Sequence, residues 1–432
     1  MAHHHIPDQI PAKFLPRSSK ANLAFGAMVA VGAVGFFLAH GQNDTAAWGS
    51  YVANWLFFTS VAMGAVMFSG ATTIVRAKWN WSLRRISMAF VAFLPISILL
   101  LLPMLGFLRE NYFPWIEMMG YDPIVQKKAA YLNIPFLLAR NVVGPLVLFG
   151  MALYFVYTAL RPDMGRLSED GLDAGQRSWR SRLMAGWRGQ EAEEVHADRL
   201  LGKLGPTMAL LYATVMSFIV YDFAMSLDPH WFSTLFGGWF FMAGFWGGIA
   251  ATAFTAVAVR RGDADLARHI GIQQRHDIGK LTFAFTVFWT YLFFSQYIVI
   301  WYGKLPWEQS WMVARAGEGW GRYSLMVVLL CFVVPFASLI GRKAKLNPTW
   351  LQTVTAIILF GLWNERYFLV APSLFPAYDS SLMFYHLLTG IGFLGLFLFS
   401  VRWFLSTFPV LQIWQPIQPD EVTEQEVPAR AA

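Results

Sequence analysis

The sequence predicts an all-α integral membrane protein of about ten transmembrane helices. Three observations predict it. Hydrophobic residues make up 56% of the 432 positions. Charged residues make up only 14%, against about 25% in soluble domains. Apolar stretches of about 20 residues, the length that crosses a hydrocarbon core of about 30 Å, recur along nearly the whole chain. With 38 Phe and 19 Trp as well, there is more apolar surface than an aqueous fold can hide, so lipid has to be the solvent for most of it.

An arm over residues 1–21 opens the chain. It carries His3, His4 and His5 and has none of the features of a cleavable signal peptide, so the first apolar stretch is expected to remain as a permanent helix. The ten stretches are Asn22–Ala39, Tyr51–Val75, Ile86–Leu108, Ile134–Leu160, Gly205–Met225, Trp231–Val259, Ile278–Tyr302, Tyr323–Ile340, Trp350–Val370 and Phe384–Phe404, forming a membrane domain over 22–408. Pro95 and Pro103 in the third can bend it and open a slot. The loop 161–204 holds Trp179, Leu183 and Trp187 at spacings near one helical turn, which reads either as a helix on the membrane surface or as a partly disordered linker. The fifth and sixth stretches are separated only by a reversal at Asp228-Pro229, where proline lacks an N–H and disfavours helix in the residue before it. The sixth is long enough to tilt or to emerge from the bilayer. The tail, 409–432, is proline-dotted and acidic (Asp420, Glu421, Glu424, Glu426) and reads as an arm that docks on a partner or stays mobile.

Basic residues set the orientation. With the N-terminus inside, the inner segments hold Arg76, Lys78, Arg84 and Arg85, the run from Arg161 to Lys203, the run from Arg260 to Lys280, and Arg342, Lys343 and Lys345. They take about three quarters of the Lys and Arg, which puts both termini in the cytoplasm. The net charge of +7 is thus topological and calls for no nucleic acid.

Cys331 is the only cysteine, which excludes an internal disulfide, an iron–sulfur cluster and a CxxCH haem attachment. None of the nine histidines sits at the middle of a span, so a bis-histidine cytochrome b is not expected. No HExxH, P-loop or Rossmann fingerprint occurs in a suitable context. The chain is therefore expected to bind no metal. Any role in electron transfer reduces to handling a hydrophobic carrier, conducting protons, or both, with metal cofactors in other chains.

Ionisable groups inside a bilayer cost about 2.5–3.5 kcal/mol each and are functional candidates by default. They fall into two layers. The outer has Arg140, Asn141, Asp222, Asp228, His230, Tyr297, Glu365, Arg366, Tyr385 and His386; the inner has Arg76, Lys78, His276, Asp277 and Lys280. Thr282, Thr286, Thr290 and Tyr297 form one face of the seventh helix and join the layers. Such a stripe suits a file of water that passes protons; alternatively the threonines bond to their own backbone. Each charged residue also has a structural reading: Asp228 as a turn former, His230 as an interfacial residue, His276 and Asp277 as boundary markers, and Glu365 and Arg366 as members of separate pairs, since neighbours on a helix diverge by about 100°. Trp301, Trp307 and Trp311 read as an aromatic belt. A quinone site needs an apolar slot and one or two groups that bond ring oxygens and exchange protons; Asp222, His230, Arg140 and His386 have that chemistry. A secondary transporter would place such groups at the midplane, which the spans assigned above avoid.

Three runs are distinctive: Asp222-Phe223-Ala224-Met225-Ser226-Leu227-Asp228-Pro229-His230-Trp231-Phe232-Ser233-Thr234, Phe294 to Glu308 (FSQYIVIWYGKLPWE) and Asn364 to Leu374 (NERYFLVAPSL). They resemble the NrfD/polysulfide-reductase-like membrane subunits of bacterial alternative complex III, the first run most of all the second of its two large NrfD-like subunits. The resemblance covers roughly Asn22 to Phe408. It implies a respiratory quinol:electron-acceptor oxidoreductase in the bacterial cytoplasmic membrane, with ten helices that include two four-helix bundles (helices two to five and six to nine) flanked by helices one and ten. It implies haem c and iron–sulfur centres in partner subunits, a paralogous NrfD-like partner that is the better-supported quinol site, and menaquinol or ubiquinol as reductant. For this chain it implies a choice between proton half-channels with a scaffolding role, through Asp222, Asp228, His230, His276, Asp277, Lys280, Thr286, Thr290, Tyr297, Glu365, Arg366 and His386, and a quinone site of its own.

Overall fold

The computed structural model describes residues 6–415, except Asp8, residues 109–111 and Glu318. The described residues are all-helical, without strands. Ten helices among them are long and apolar enough to cross a membrane, which suggests a multi-pass membrane protein. In chain order they are α1 Ser19–Gln42, α2 Asp44–Ile74, α3 Arg84–Phe107, α4 Ile134–Arg166, α5 Gln190–Phe223, α6 Thr234–Arg261, α7 Ile272–Gly303, α8 Trp320–Leu339, α9 Pro348–Leu374 and α10 Ser380–Thr407.

Each apolar stretch becomes one helix, and side-chain caps place several of the starts. Ser18 accepts from the Ala21 N–H, Asn133 from Phe136, Asn347 from Thr349 and Trp350, and Asp379 from Ser381. These bonds satisfy amide groups that a helix leaves unpaired at its first turn. Asn43 is the whole link between α1 and α2: its backbone N–H closes α1 on Ala39 and its side chain opens α2 by accepting from Ala46. Proline marks the irregular turns. Ala89–Phe93 is 3₁₀ just before Pro95, and Leu329–Val333 is a π turn just before Pro335, as expected where the ring removes a helical donor.

α2 is the centre of the molecule. Its most apolar window is wholly buried, and it packs on α1, α3, α5, α6, α9 and α10. α1 and α7 turn most of their surface outward. The α2–α6 crossing is backbone to backbone: a Cβ on Gly64 would lie 2.1 Å from the Gly244 carbonyl oxygen, and one on Gly248 2.1 Å from the Ala65 nitrogen. Close approach through small residues is how helices gain dispersion contact when lipid competes equally for their apolar side chains.

The end with the basic connections is more ordered than the sequence reading allowed. The loop expected over 161–204 shrinks to 167–189, because α4 and α5 run on past their apolar stretches. Within it Ala174–Leu183 is a helix opened by an Asp173–Gln176 capping box. Trp179 packs edge-on against Trp403 and Phe408, so this helix sits on the chain itself. The tail is corrected likewise. Val410, Leu411 and Trp414 are fully buried, the Val410 N–H donates to the Lys13 carbonyl, and the Leu15 N–H donates to that of Leu405. The acidic part, Asp420 to Glu426, lies outside the described residues.

One buried ion pair holds this end. Arg85, at the start of α3, pairs with Asp163 near the end of α4, and both side chains are inaccessible. Asp163 Oδ1 also accepts from the Ile413 and Trp414 amides at 2.8 and 3.0 Å, and the Trp414 indole donates to the Ala159 carbonyl.

Two measurements follow from this packing. Gly248→Val should keep α2 and α6 from closing and abolish the monodisperse peak in detergent size-exclusion, whereas Gly26→Val, where a Cβ meets nothing within 4 Å, should leave it intact. Asp163→Ala strands the Arg85 charge and should cost about 3–5 kcal/mol, read as a lowered midpoint of thermal unfolding in detergent; Arg85→Met combined with Asp163→Leu should restore part of the loss.

Candidate functional site

The polar residues of the opposite end, which carries the 108–133, 228–233, 304–319 and 375–379 connections, form separate clusters. The first joins α4 to α5. Arg140 holds Asp222 in a two-pronged pair, Nε to Oδ2 at 2.8 Å and Nη2 to Oδ1 at 2.7 Å. Asn141 donates to the same carboxylate, and the guanidinium lies over the Tyr131 ring at 3.8 Å. Asp222 is fully buried and its oxygens are occupied. This geometry makes a strut between α4 and α5.

The second cluster is the reversal. His230 Nε2 lies 2.6 Å from Asp122 Oδ2, and Lys128 Nζ donates to the Pro229 carbonyl at 2.6 Å. Asp122 also caps the short Pro123–Gln126 helix through the Ile124 and Val125 amides. Burial works to raise its pKa, but the His230 contact and the two amides outweigh that and hold its carboxyl below the ordinary aspartate range. Asp228, by contrast, is raised by burial, which the Arg315 and His230 charges only partly oppose.

The third lies within α9. Glu365 and Arg366, which one of the sequence readings put in separate pairs, bond each other: Arg366 Nη1 donates to Glu365 Oε2 at 2.6 Å. The guanidinium folds back along its own helix, over the Phe240 ring at 4.1 Å, and reaches the Phe240 carbonyl. The other Glu365 oxygen accepts from the Trp289 indole of α7 at 3.2 Å. Both residues are at most 1% exposed. The helix bounds move Glu365 by only one residue from the depth its apolar stretch gave it. α9 runs over 348–374, which puts this carboxylate about four residues past the middle, or about 6 Å.

The fourth surrounds His386 on α10. The imidazole is sandwiched between Trp363 and Tyr367, with ring centroids at 4.3 and 4.2 Å. Asn54 Nδ2 lies 3.1 Å from His386 Nδ1, and the Trp363 indole donates to Asn54 Oδ1 at 2.7 Å. Nε2 is buried and has no hydrogen-bond partner among the described residues. Trp363, Leu387 and Gly390 are also in the wall of an apolar cavity of about 240 Å³. Tyr385, next in sequence, is only half-buried.

At the basic end, Asp277 pairs with the exposed Lys280 at 2.6 Å and accepts from Gln273. His276 is half-buried; Arg76 and Lys78 are exposed. Among the described residues no hydrogen bond or ion pair joins this group to Glu365. His276 and Trp289 are thirteen residues apart on α7, about 20 Å. The threonines between them bond locally: Thr282 donates to the Ile278 carbonyl, Thr286 to Thr282 and Thr290 to Thr286, all within 2.8–3.0 Å. Their donors are spent on their own helix. Tyr297 lies further out, 39% exposed.

A scan against protein-family models returns no match, and a search of curated proteins returns none either.

Four residues matter that the sequence reading passed over. Asn54 is neutral and so escaped a search for charge; a lone amide in an apolar run was its signal. Asp122 was hidden in a connection, although Asp122-Pro123 is a helix-start pattern. Arg85 was counted only as an inner basic residue, and Asp163 lay unremarked in the stretch read as loop. Trp311, read as part of a belt with Trp301 and Trp307, is 2% exposed and stacks on Trp231 at 4.4 Å, while the other two are more than half exposed.

The Asp122 contact makes a pH prediction. A carboxyl held below its ordinary value contributes fully above that value, 3.8, and its contribution is lost as pH falls through the lowered folded value. Amide exchange at Ile124 and Val125, corrected for intrinsic rate, should be slow at about pH 5 and should quicken once the pH passes below the ordinary value. In Asp122→Asn the acid transition should disappear.

Proposed function

We propose that the chain is an integral membrane subunit of a respiratory quinol:electron-acceptor oxidoreductase of the alternative complex III type, corresponding to the second of its NrfD-like subunits. It lies in the bacterial cytoplasmic membrane with both termini in the cytoplasm, and α2–α5 and α6–α9 act as two four-helix bundles flanked by α1 and α10. It holds no metal of its own. Haem c and iron–sulfur centres belong to its partners, next to a paralogous NrfD-like subunit that oxidises menaquinol or ubiquinol. Its own contribution is support and proton transfer.

The observation that carries the proton role is Glu365. A fully buried carboxylate near the centre of a long apolar helix, held by one arginine and one indole, is costly unless it is used. Arg366 and the Trp289 N–H stabilise its charged form, and loss of either lets it take a proton. Asp222 is supported as a strut, and His230 with Asp228 as exit groups at the surface. Asp277, Lys280 and His276 gather protons at the basic end. Thr286 and Thr290 serve as lone-pair acceptors for water rather than as donors.

A second reading is favoured by His386. Its buried, unpartnered Nε2 and the neighbouring apolar cavity have the chemistry a quinone oxygen and ring require. Arg140 and Asp222, candidates for the same role, are occupied with each other. A secondary transporter is the weakest reading.

Native purification followed by mass spectrometry should find multihaem c-type and iron–sulfur chains with this one; a lone, active permease would sink the proposal. In vesicles of the intact complex, Glu365→Gln and Lys280→Met should each lower proton release per quinol. Unchanged stoichiometry and turnover in both would remove the proton role. Azidoquinone label on α9 or α10 would establish the second reading, and label confined to the sister subunit would reject it.

A further inference from the structure

A further cavity is lined by no residue the proposed function uses, Tyr297 apart. It has a volume of about 450 Å³ and lies between α6, α7, α8, α9 and the short helix Pro306–Ala316. Its walls are mostly apolar, from Phe293, Ile300, Met312 and Phe368. It is open at the side where α7 shows its outward face, beside Tyr297 and the exposed Trp301.

Arg315 also lines it. This side chain is 3% exposed, yet among the described residues no carboxylate lies within ion-pair distance. Arg85, Arg140 and Arg366 are each paired directly; Arg84 and Arg275 are likewise buried with no carboxylate at ion-pair distance among the described residues, but neither lines this cavity. Arg315 lies flat on the Trp311 ring at 3.6 Å, and its terminal nitrogens reach the Trp311 and Leu369 carbonyls and the Ser373 hydroxyl. Nε has no partner. Two further cavity residues, Trp239 and Trp311, have buried indole N–H groups without acceptors. Burial pushes the guanidinium down to about 9, which the more distant Asp228 only partly offsets. A cation and unused donors around an apolar hole have the composition of an anion site built for a molecule with a tail.

We propose that this cavity binds an amphiphile with an oxyanion head, the head on Arg315 with the indole N–H groups of Trp239 and Trp311, and the tail running out past Ile300 and Tyr297 along α7. Two natural sources share that chemistry, an acidic phospholipid and a fatty acid. The inference rests on the reading of the chain as membrane-embedded but not on its partners, so it can be tested on the purified chain and stands or falls apart from the respiratory assignment.

The test is photolabelling of the full-length chain in neutral detergent with diazirine-bearing phosphatidylglycerol, diazirine-bearing palmitate and, as the control whose head has no oxyanion, diazirine-bearing diacylglycerol. Peptide mapping should place label in residues 293–316 with phosphatidylglycerol, palmitate or both, and the stronger of the two identifies the source. Arg315→Gln should reduce that label about tenfold, the loss expected for one charge-assisted hydrogen-bonding group. Arg315→Lys should retain most of it. If Arg315→Gln does not fold, Val313→Trp fills the mouth from an exposed position and should block label while leaving the arginine in place. Lys304→Asn, at an exposed cation on the same end, should change nothing. Equal labelling by diacylglycerol, label unaffected by Val313→Trp, or displacement by an equimolar short-chain quinone would each overturn the proposal.

Discussion

The constraint on which the rest of this structure depends is that a charge removed from water must find its compensation inside the fold. The chain meets it by making compensation and architecture the same thing. Arg85 and Asp163 come from different helices, and the carboxylate then draws in the amides of Ile413 and Trp414, so one pair closes α3, α4 and the tail together. Arg140 and Asp222 tie α4 to α5 through a carboxylate with every near donor engaged. Such pairs add little to stability relative to apolar packing of equal volume, yet breaking one partner is expensive. They therefore specify which helices meet more than they hold them together.

Hydropathy made the ten helices legible, because a span is defined by length and composition alone and, among the described residues, no other segment satisfies both. It could not give the ends, because hydropathy reports the slab and not the helix. α5 begins at Gln190 rather than near Gly205, since Gln190–Lys203 is charged but still helical, and Glu193 is buried against Arg161 there. α2 begins at Asp44 rather than Tyr51 because Asn43 caps it. In the site, residue type marked Asp222, Arg140, Glu365, Arg366 and His386 correctly as buried, since charge or imidazole in an apolar run is rare for a reason. Pairing was another matter. The 100° between adjacent residues argues against a Glu365–Arg366 pair only for short side chains; an arginine long enough to fold back along the helix defeats it. Arg315 was invisible because its helix is short and amphipathic and was read as connection.

The threonine face of α7 shows how one pattern can serve two readings that differ only in where a proton points. Thr282, Thr286 and Thr290 each give their hydroxyl proton to a carbonyl of the preceding turn, which satisfies the buried hydroxyl without any neighbour. The oxygen lone pairs stay available. A water in such a setting can donate to the face but cannot accept from it, so a proton wire along α7 needs acceptors from another helix at the same height. One buried acceptor on a neighbouring helix is reached from α7, the Glu365 carboxylate, through Trp289. Any inner half-path must therefore end on α9.

That places unusual weight on a single turn of α9. Four consecutive residues sweep a full circle, and each meets a different neighbour: Asn364 receives the Tyr323 hydroxyl of α8 at 2.8 Å, Glu365 receives the Trp289 indole of α7, Arg366 bonds the Phe240 carbonyl of α6, and Tyr367 stacks on His386 of α10. A helix surrounded on all sides can be polar at one level only if every direction offers a partner, which is why this turn is polar and the turns on either side are not. It also means that a proton taken up by Glu365 is not a local event. It removes the counter-charge of Arg366, whose Nε already lacks a partner, and the guanidinium must then seek compensation from α6 or from water. Chemistry at one carboxylate is thereby coupled to the packing of the helix that crosses α2 at Gly64 and Gly248.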